Sequence, residues 1–350
     1  MSQKITSSSA LSPELQKILS PASLFEKEFS IDWIVELTGE KASQVLLGLE
    51  AGVQKGWLIK SGPHIFCFAE SKKRAEWLIK LCPEEKDRLT RKIVELLMEE
   101  LPEDNEKALT LSSYLAHMNN DEEKCRWLMK AGDINYRAHR YEEALKCYIK
   151  VLDDLSIQKG GEADFLYAET AIKFSKLSTA TQDTRKVFSF LNEATNRAKE
   201  QNNFKALALL EMYMAKNEWL RSRDLNALKH FEQGWSLAKD IGDAKLLRSA
   251  TTLRTHFLDW QGKFRETVKS YETSVPGVEK FPVGQFPLFA ALMVAYCYVQ
   301  TAQVSQGLGM MDAIRIHCRE RNDQYMEAQA VFTIAASMLD IRNLAHDELL

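Results

Sequence analysis

The feature that most limits what this chain can fold into is a recurrence at forty residues. Ala227, Thr267 and Gly307 stand 40 residues apart, and a bulky residue follows each by four positions: Phe231, Tyr271 and Met311. The same pairing occurs earlier as Ala144 and Tyr148, in HRYEEALKCYIKVLDDL, His139 to Leu155. From Ala144 to Ala227 is 83 residues, close to two steps, and the intervening helix is TRKVFSFLNEATNRAKEQNN, around Val187 and Leu191. Helix ends recur as well. AKEQNN begins at Ala198, AKDIGD at Ala238 and CRERND at Cys318, offsets of 40 and 80. A fixed period on a helical pattern is the signature of stacked helix pairs, none of which buries its apolar face alone. Where the second helix of a pair (B) crosses the first (A), a small side chain lets the backbones approach, and the bulky residue one turn on fills the groove beside it. Ala131 and Gly132, followed by Asp133, offer the matching small site on the first helix A. The expectation is a mostly α chain, an α-α superhelix over 121–350 with about five pairs and the start of a sixth.

Upstream the texture differs. Residues 1–20 form a Ser-rich segment expected to lack structure. Within 21–82, IDWIVELTG reads as a short helix ended by Gly39 in a left-handed cap, and KASQVLLGLEAGVQKGW as a second helix with Val45, Leu46, Leu49 and Val53 on one stripe. Two β-rich runs, Trp57–Ile59 and Ile65–Phe68, are joined by SGPH, the chemistry of a hairpin turn. Helix, helix, hairpin is the order of a small winged helix. Over 83–120 two connecting helices follow. The first carries Leu89, Ile93, Leu97 and Leu101 at i, i+4 spacing and is stopped by Pro102; the second runs through KALTLSSYLAHM.

Composition narrows the functions. The net charge of −3 supplies no broad basic field. Between Leu24 and Cys82, eight Lys and Arg are balanced by eight Asp and Glu. The second helix of that segment offers a duplex only Lys41, Gln44, Gln54 and Lys55, with Glu40 and Glu50 beside them, and Lys72–Arg74 reads as a solvated helix face. Phosphate neutralisation needs several cations on one face, so nucleic acid is not the expected partner. The seven histidines and six cysteines show no metal-ligand spacing, and no nucleophile elbow is present. Catalysis is therefore not expected, nor is a metal. The cysteines read as reduced thiols used as small hydrophobes. No apolar run approaches bilayer length and no signal segment opens the chain, so a cytoplasmic, non-membrane protein is expected.

KAGDINYRAHRYEEALKCY resembles a tetratricopeptide repeat, and the period near 40, longer than the usual 34, resembles the variant in bacterial regulators such as the activator of the maltose regulon. The segment from SLFEKEFSIDWIVELTG through CPEEKDRLTRKIVELL resembles the winged-helix end of signal-transduction ATPases with numerous domains. In that family a winged helix closes an ATPase module and a helix pair leads into the repeats. The resemblance covers roughly residues 20–350. The chain departs from the family in two places. Ala69 and Glu70 follow Phe68 where a His is common, and there is no GxxxxGK[ST], since GEKAS at Gly39 lacks the glycine-rich loop before it. ATP is thus implied only for a module upstream, and no cofactor for this chain.

These readings make the chain the sensor and interaction region of a multidomain regulator, binding a protein or a small inducer on the concave, A-helix side of the repeats. The repeat phase places Arg126, Asp133, Tyr136 and Arg137 there in the first pair, Lys216 and Trp219 in the third, His256 and Trp260 in the fourth, and Tyr296 in the fifth. Tyr136, Trp219 and Trp260 form a candidate aromatic ladder. The competing reading is that they simply pack between helices. Ser274 to Pro287, with three of the eight prolines, is a candidate binding loop. The alternatives to a sensor are a free-standing repeat scaffold that assembles a protein complex and a winged-helix DNA binder.

Overall fold

The computed structural model describes residues 13–177, 184–222, 225–274 and 288–347. The chain divides into two compact units, Met1–Asn119 and Asn120–Leu350.

The first unit opens with a helix where none was expected. α1 (Pro13–Ala22) buries Leu15, Ile18, Leu19 and Ala22, so the structureless segment predicted for 1–20 is corrected from Pro13 onward; residues 1–12 lie outside the described chain. Its apolar side chains sit against glycines. At Gly48 a side chain would meet Ile18 Cδ1 at 2.5 Å, and at Gly52 it would meet Leu58 Cδ1 at 3.0 Å and Leu19 Cδ2 at 3.4 Å. After β1 (Phe29–Ser30), the Ser30 hydroxyl accepts the Trp33 N–H at 3.1 Å and caps α2 (Ile31–Thr38). Gly39, at φ 70°, ends that helix in the left-handed conformation predicted. Then come α3 (Ala42–Gln54) and a hairpin of β2 (Leu58–Gly62) and β3 (Ile65–Phe68). The antiparallel sheet has the order β1-β3-β2, pairing Phe29 with Phe66 and Leu58 with Phe68. Ile34, Val45, Leu49 and Phe66 are fully buried in the core this makes.

α4 (Ser71–Leu78) lays Trp77 edge-on to Trp57, with ring centroids 5.1 Å apart. α5 (Pro83–Glu100) and α6 (Asn105–Leu115) are the helix pair expected before the repeats, and both belong to the first unit. Their turn is tied by Lys107, whose buried ammonium donates to the carbonyls of Met98 (2.5 Å) and Leu101 (3.1 Å) and to Glu103 (2.7 Å). A cation there satisfies the orphan carbonyls at the end of α5 and complements its dipole.

The second unit is an α-α superhelix of tetratricopeptide-like pairs: α7 (Glu122–Arg137) with α8 (Tyr141–Leu155), α9 (Gly161–Leu177) with α10 (Thr184–Glu200), α11 (Phe204–Ser222) with α12 (Leu225–Ile241), α13 (Ala244–Trp260) with α14 (Phe264–Ser274), and α15 (Leu288–Gln300) with α16 (Val304–Glu320). α17 (Gln324–Asp347) begins a sixth. The forty-residue phase marks the crossings. Ala144, Ala227 and Thr267 are fully buried, and Gly307 is buried with them. At Gly307 a side chain would strike the Ala295 carbonyl oxygen at 2.5 Å, and at Gly132 it would strike the Tyr148 ring at 2.5 Å.

The recurring helix ends are equally physical. Asn202, Gly242 and Asn322 all adopt positive φ, 52°, 67° and 57°, turning the chain out of helix B. The next residue caps the following helix A: Asn203, Asp243 and Asp323 accept the N–H of Ala206, Leu246 and Met326 at 3.1, 2.9 and 3.1 Å. Successive A helices pack directly on one another, whereas successive B helices make no comparable contact. The array therefore curves with helix A on its inner side.

Candidate functional site

The inner layer consists of α7, α9, α11, α13, α15 and α17, and every residue predicted for the site lies on one of the first five except α9. The structure sorts these residues into two groups.

Around α7 they are polar and largely paired. Arg126, exposed, forms an ion pair with Glu162. The Asp133 carboxylate accepts from the Tyr148 hydroxyl at 2.8 Å and from the Lys173 ammonium at 2.5 Å, joining α7 to α8 and α9. Tyr136 is exposed, with its ring 5.8 Å from that of Tyr141, and Arg137 beside it is exposed.

Across α11, α13 and α15 they are aromatic and desolvated. Trp219, half-buried, lies 5.3 Å from Phe257, which stacks on Phe231 at 4.5 Å and 6° and touches Trp260 at 6.4 Å. His256 stacks on Trp260 (6.0 Å) and meets the edge of Phe289 (5.4 Å). Its Nε2 is buried with no hydrogen-bond partner, and burial, with a smaller push from Lys216, holds the imidazole pKa down to about 3. Lys216 donates to the Ser175 carbonyl at 3.2 Å, and burial brings its ammonium down to about 8. Further along, the Tyr296 hydroxyl donates to Asp340 at 3.0 Å, with its ring against Phe264.

The predicted ladder is thus divided: Trp219 and Trp260 are joined through Phe257, while Tyr136 lies tilted against Tyr141, which in turn meets Tyr325 edge-on. Lys173, Lys176 and Tyr213 also lie on the inner helices and were not foreseen. Burial and the neighbouring Lys173 charge lower the Lys176 pKa, and Tyr213 carries the Lys216 amine 6.0 Å from its ring centroid. The signal for α9 was absent because α10, its partner helix, has Val187 and Leu191 at the phase positions instead of a small residue and an aromatic. Among the described residues no group of His, Cys, Asp and Glu is placed to hold a metal ion, and no helix is long and apolar enough to cross a membrane. The loop expected at Ser274–Pro287 lies outside the described residues from 275 on.

The layer thus combines half-buried rings of fixed orientation with an amine whose pKa burial lowers to about 8.

No protein-family model matches the chain, and no curated protein matches it. Among solved structures, the chain is similar to a Signal Transduction ATPase with Numerous Domains (STAND) protein with a tetratricopeptide repeat sensor from Pyrococcus horikoshii, at 15% identity and TM-score 0.42. That likeness covers 93% of this chain and 54% of the other, so the chain spans about half the length of that protein. It is also similar to a Rap protein complexed with Competence and Sporulation Factor, at 13% identity and TM-score 0.47, covering 75% of this chain and 86% of that one.

Proposed function

We propose that this chain is a non-catalytic sensor and interaction region, in which the inner face of the helical repeats binds a protein or a small inducer. The observation that carries the reading is the Trp219–Phe257–Trp260 group with His256 and Lys216 beside it. Half-buried rings held in fixed orientation on an inner helix layer are the kind of rigid anchor that a partner uses. The first unit is a winged-helix adaptor in this reading, supported by its order of helix, strand, helix, helix and hairpin. It passes occupancy of the repeats to an ATPase module elsewhere in the natural chain.

The test is capture of partners from a cell extract, and of candidate small inducers by calorimetry, on the whole chain and on Trp260→Ala and Lys216→Gln variants with unchanged circular dichroism. Loss of capture in both variants supports the inner face. Capture that survives both sinks it. A scaffold would hold the same partners with and without inducer, and a DNA binder would show duplex binding that weakens with salt.

A further inference from the structure

The forty-residue step that sets the helix crossings also lines up a row on the inner layer. Tyr136, Lys176, Lys216, His256 and Tyr296 follow one another at 40 residues without a break, one on each of α7, α9, α11, α13 and α15. Positions one repeat apart do meet across neighbouring A helices. Asp133 and Lys173, 40 apart, form an ion pair at 2.5 Å, and Gln300 donates to Asp340, again 40 apart, at 2.8 Å. The five side chains therefore run across the face as one line. Its middle holds two lysines, on helices α9 and α11 that pack directly on one another. The Lys216 ammonium donates to the carbonyl of Ser175, the residue beside Lys176, at 3.2 Å. A cation at that place complements the last turn of α9, and Lys216 meets that need. Lys173, one turn back, is answered by Asp133 and by Glu169 at 3.3 Å. Lys176 is left over: among the described residues it makes no hydrogen bond or ion pair through its amine.

The surroundings say what fits the pair. Lys176 is open to solvent and Lys216 is half-buried, so both can be reached from the inner side. Even so, the protein around Lys176 lowers its pKa, and the charges of Lys173 and, more weakly, Lys245 add to this against the pull of Asp133 and Glu169. An amine that is open to water yet desolvated sits in a concave place, where an opposite charge is felt strongly. The row is also bounded. Tyr136 lies 5.8 Å from the Tyr141 ring at one end, and Tyr296 donates to Asp340 at 3.0 Å at the other. His256, next to the pair, is held neutral. The cationic stretch is thus two helices wide, about 10 Å, room for one compact anion. Two ammonium point charges suit a phosphate dianion, whereas a single carboxylate is better met by the fork of an arginine.

We propose that Lys176 and Lys216 form a phosphate-binding site on the inner face, taking the phosphate group of a small inducer between their two ammonium groups. The site rests on the reading of the inner face as the ligand-binding side, and it narrows the ligand to a phosphorylated small molecule. A dianion between two like charges replaces their repulsion by attraction. The His256–Trp260 stack, next along the row, offers a flat wall to the organic part of the molecule.

Calorimetric titration of the whole chain with inorganic phosphate, at pH 8 and low ionic strength, tests this. A dissociation constant on the order of millimolar is expected, the strength of a few charge-assisted hydrogen bonds. Binding should draw protons from the buffer, because the Lys216 amine, at about 8, is only about half protonated at that pH. Lys176→Gln and Lys216→Gln should each weaken binding about tenfold. Lys205→Gln removes an equal charge from the start of α11, where Asp243 holds it at 2.7 Å, and should change binding by less than about twofold. No binding, binding indifferent to the first two variants, or an equal loss in Lys205→Gln overturns the site. Acetate bound as tightly as phosphate overturns the assignment to phosphate. The outcomes also separate the site from the wider reading. If phosphate does not bind but partner capture is lost in Trp260→Ala, the phosphate site falls and the inner face still binds. If both lysines hold phosphate while capture survives the inner-face variants, the site stands and partner binding there falls.

Discussion

Asp323 ties the two ends of the repeat array together. Its Oδ2 accepts from the Tyr141 hydroxyl at 3.4 Å and lies 3.1 Å from His139 Nδ1, while its Oδ1 caps α17 through the Met326 N–H. The carboxylate is almost fully buried, and the Tyr141 ring stands edge-on to Tyr325 at 5.7 Å. The first pair and the sixth helix A therefore share a joint, although 182 residues separate Tyr141 from Asp323.

Tyr141→Phe should loosen this joint without touching the cap. At 3.4 Å the lost hydrogen bond sits at the low end of the usual range, about 0.5 kcal/mol, so the informative reading is local. Amide exchange should quicken at the starts of both α8 and α17. Asp323→Ala removes the cap as well and should cost about 1 kcal/mol more in chemical denaturation. Unchanged exchange at the start of α17 in Tyr141→Phe would show that the ends are not held there.

Two glycines of α16 should respond in opposite directions to alanine. Gly307→Ala brings a methyl to 2.5 Å from the Ala295 carbonyl oxygen, a backbone atom that cannot step aside, so the hairpin of α15 and α16 must open. The cost expected is about 1–3 kcal/mol. Gly309 has open space around it, and alanine there should stabilise by up to about 1 kcal/mol through helix propensity alone. Urea midpoints of the two variants measure both signs; a shared sign would refute the role of Gly307 as a crossing point.

What the sequence made legible follows from how local each cause is. The crossings could be read because Ala144, Ala227, Thr267 and Gly307 each answer a need for closeness that recurs every forty residues. The turns could be read because a left-handed residue and a cap are neighbours in sequence. α1 was missed because the Ser-rich start masked the stripe of Leu15, Ile18, Leu19 and Ala22, and because Gly48 and Gly52, against which that stripe packs, lie about thirty residues on. The site was half legible. The repeat phase identifies the residues on the inner helices, but the properties of Lys216 and His256 arise from other repeats, as when Ser175 accepts from Lys216 across 41 residues.

Arg197 of α10 should be among the costliest residues to replace. It is buried, and its guanidinium donates to the carbonyls of Leu155 (3.1 Å), Ser156 (3.1 Å) and Gln158 (2.9 Å) and to Asp164 (3.2 Å) and Glu193 (2.8 Å). One side chain thereby closes the end of α8, whose last carbonyls have no helical donor. Arg197→Met leaves those carbonyls and Asp164 without it, although Asp164 keeps Gln201 and the Gly160 N–H. A loss of about 3 kcal/mol is expected, with Arg197→Lys between methionine and the wild type because an ammonium cannot reach all three carbonyls. Denaturation of both variants checks the order.

Two histidines should give stability a pH dependence of opposite sign. The His256 imidazole is held neutral, down to about 3 against an ordinary 6.5, so below pH 6.5 the unfolded chain takes a proton that the folded chain refuses. Stability is then lost as pH falls, by about 1.4 kcal/mol at pH 5.5. His230 is raised instead, because its Nδ1 lies 2.5 Å from Glu211 Oε2, a carboxylate that is itself buried. Its contribution is complete below 6.5 and is lost as pH rises through the raised value. Phenylalanine suits the aromatic surroundings of His256, and His256→Phe should lose about 1 kcal/mol less than the wild type between pH 7 and 5.5. His230→Gln should weaken the protein most at acid pH, where the wild type holds the protonated pair. Urea midpoints from pH 5 to 8 resolve the two slopes, and a His256→Phe curve parallel to the wild type would mean that the imidazole is not buried neutral between Trp260 and Phe289.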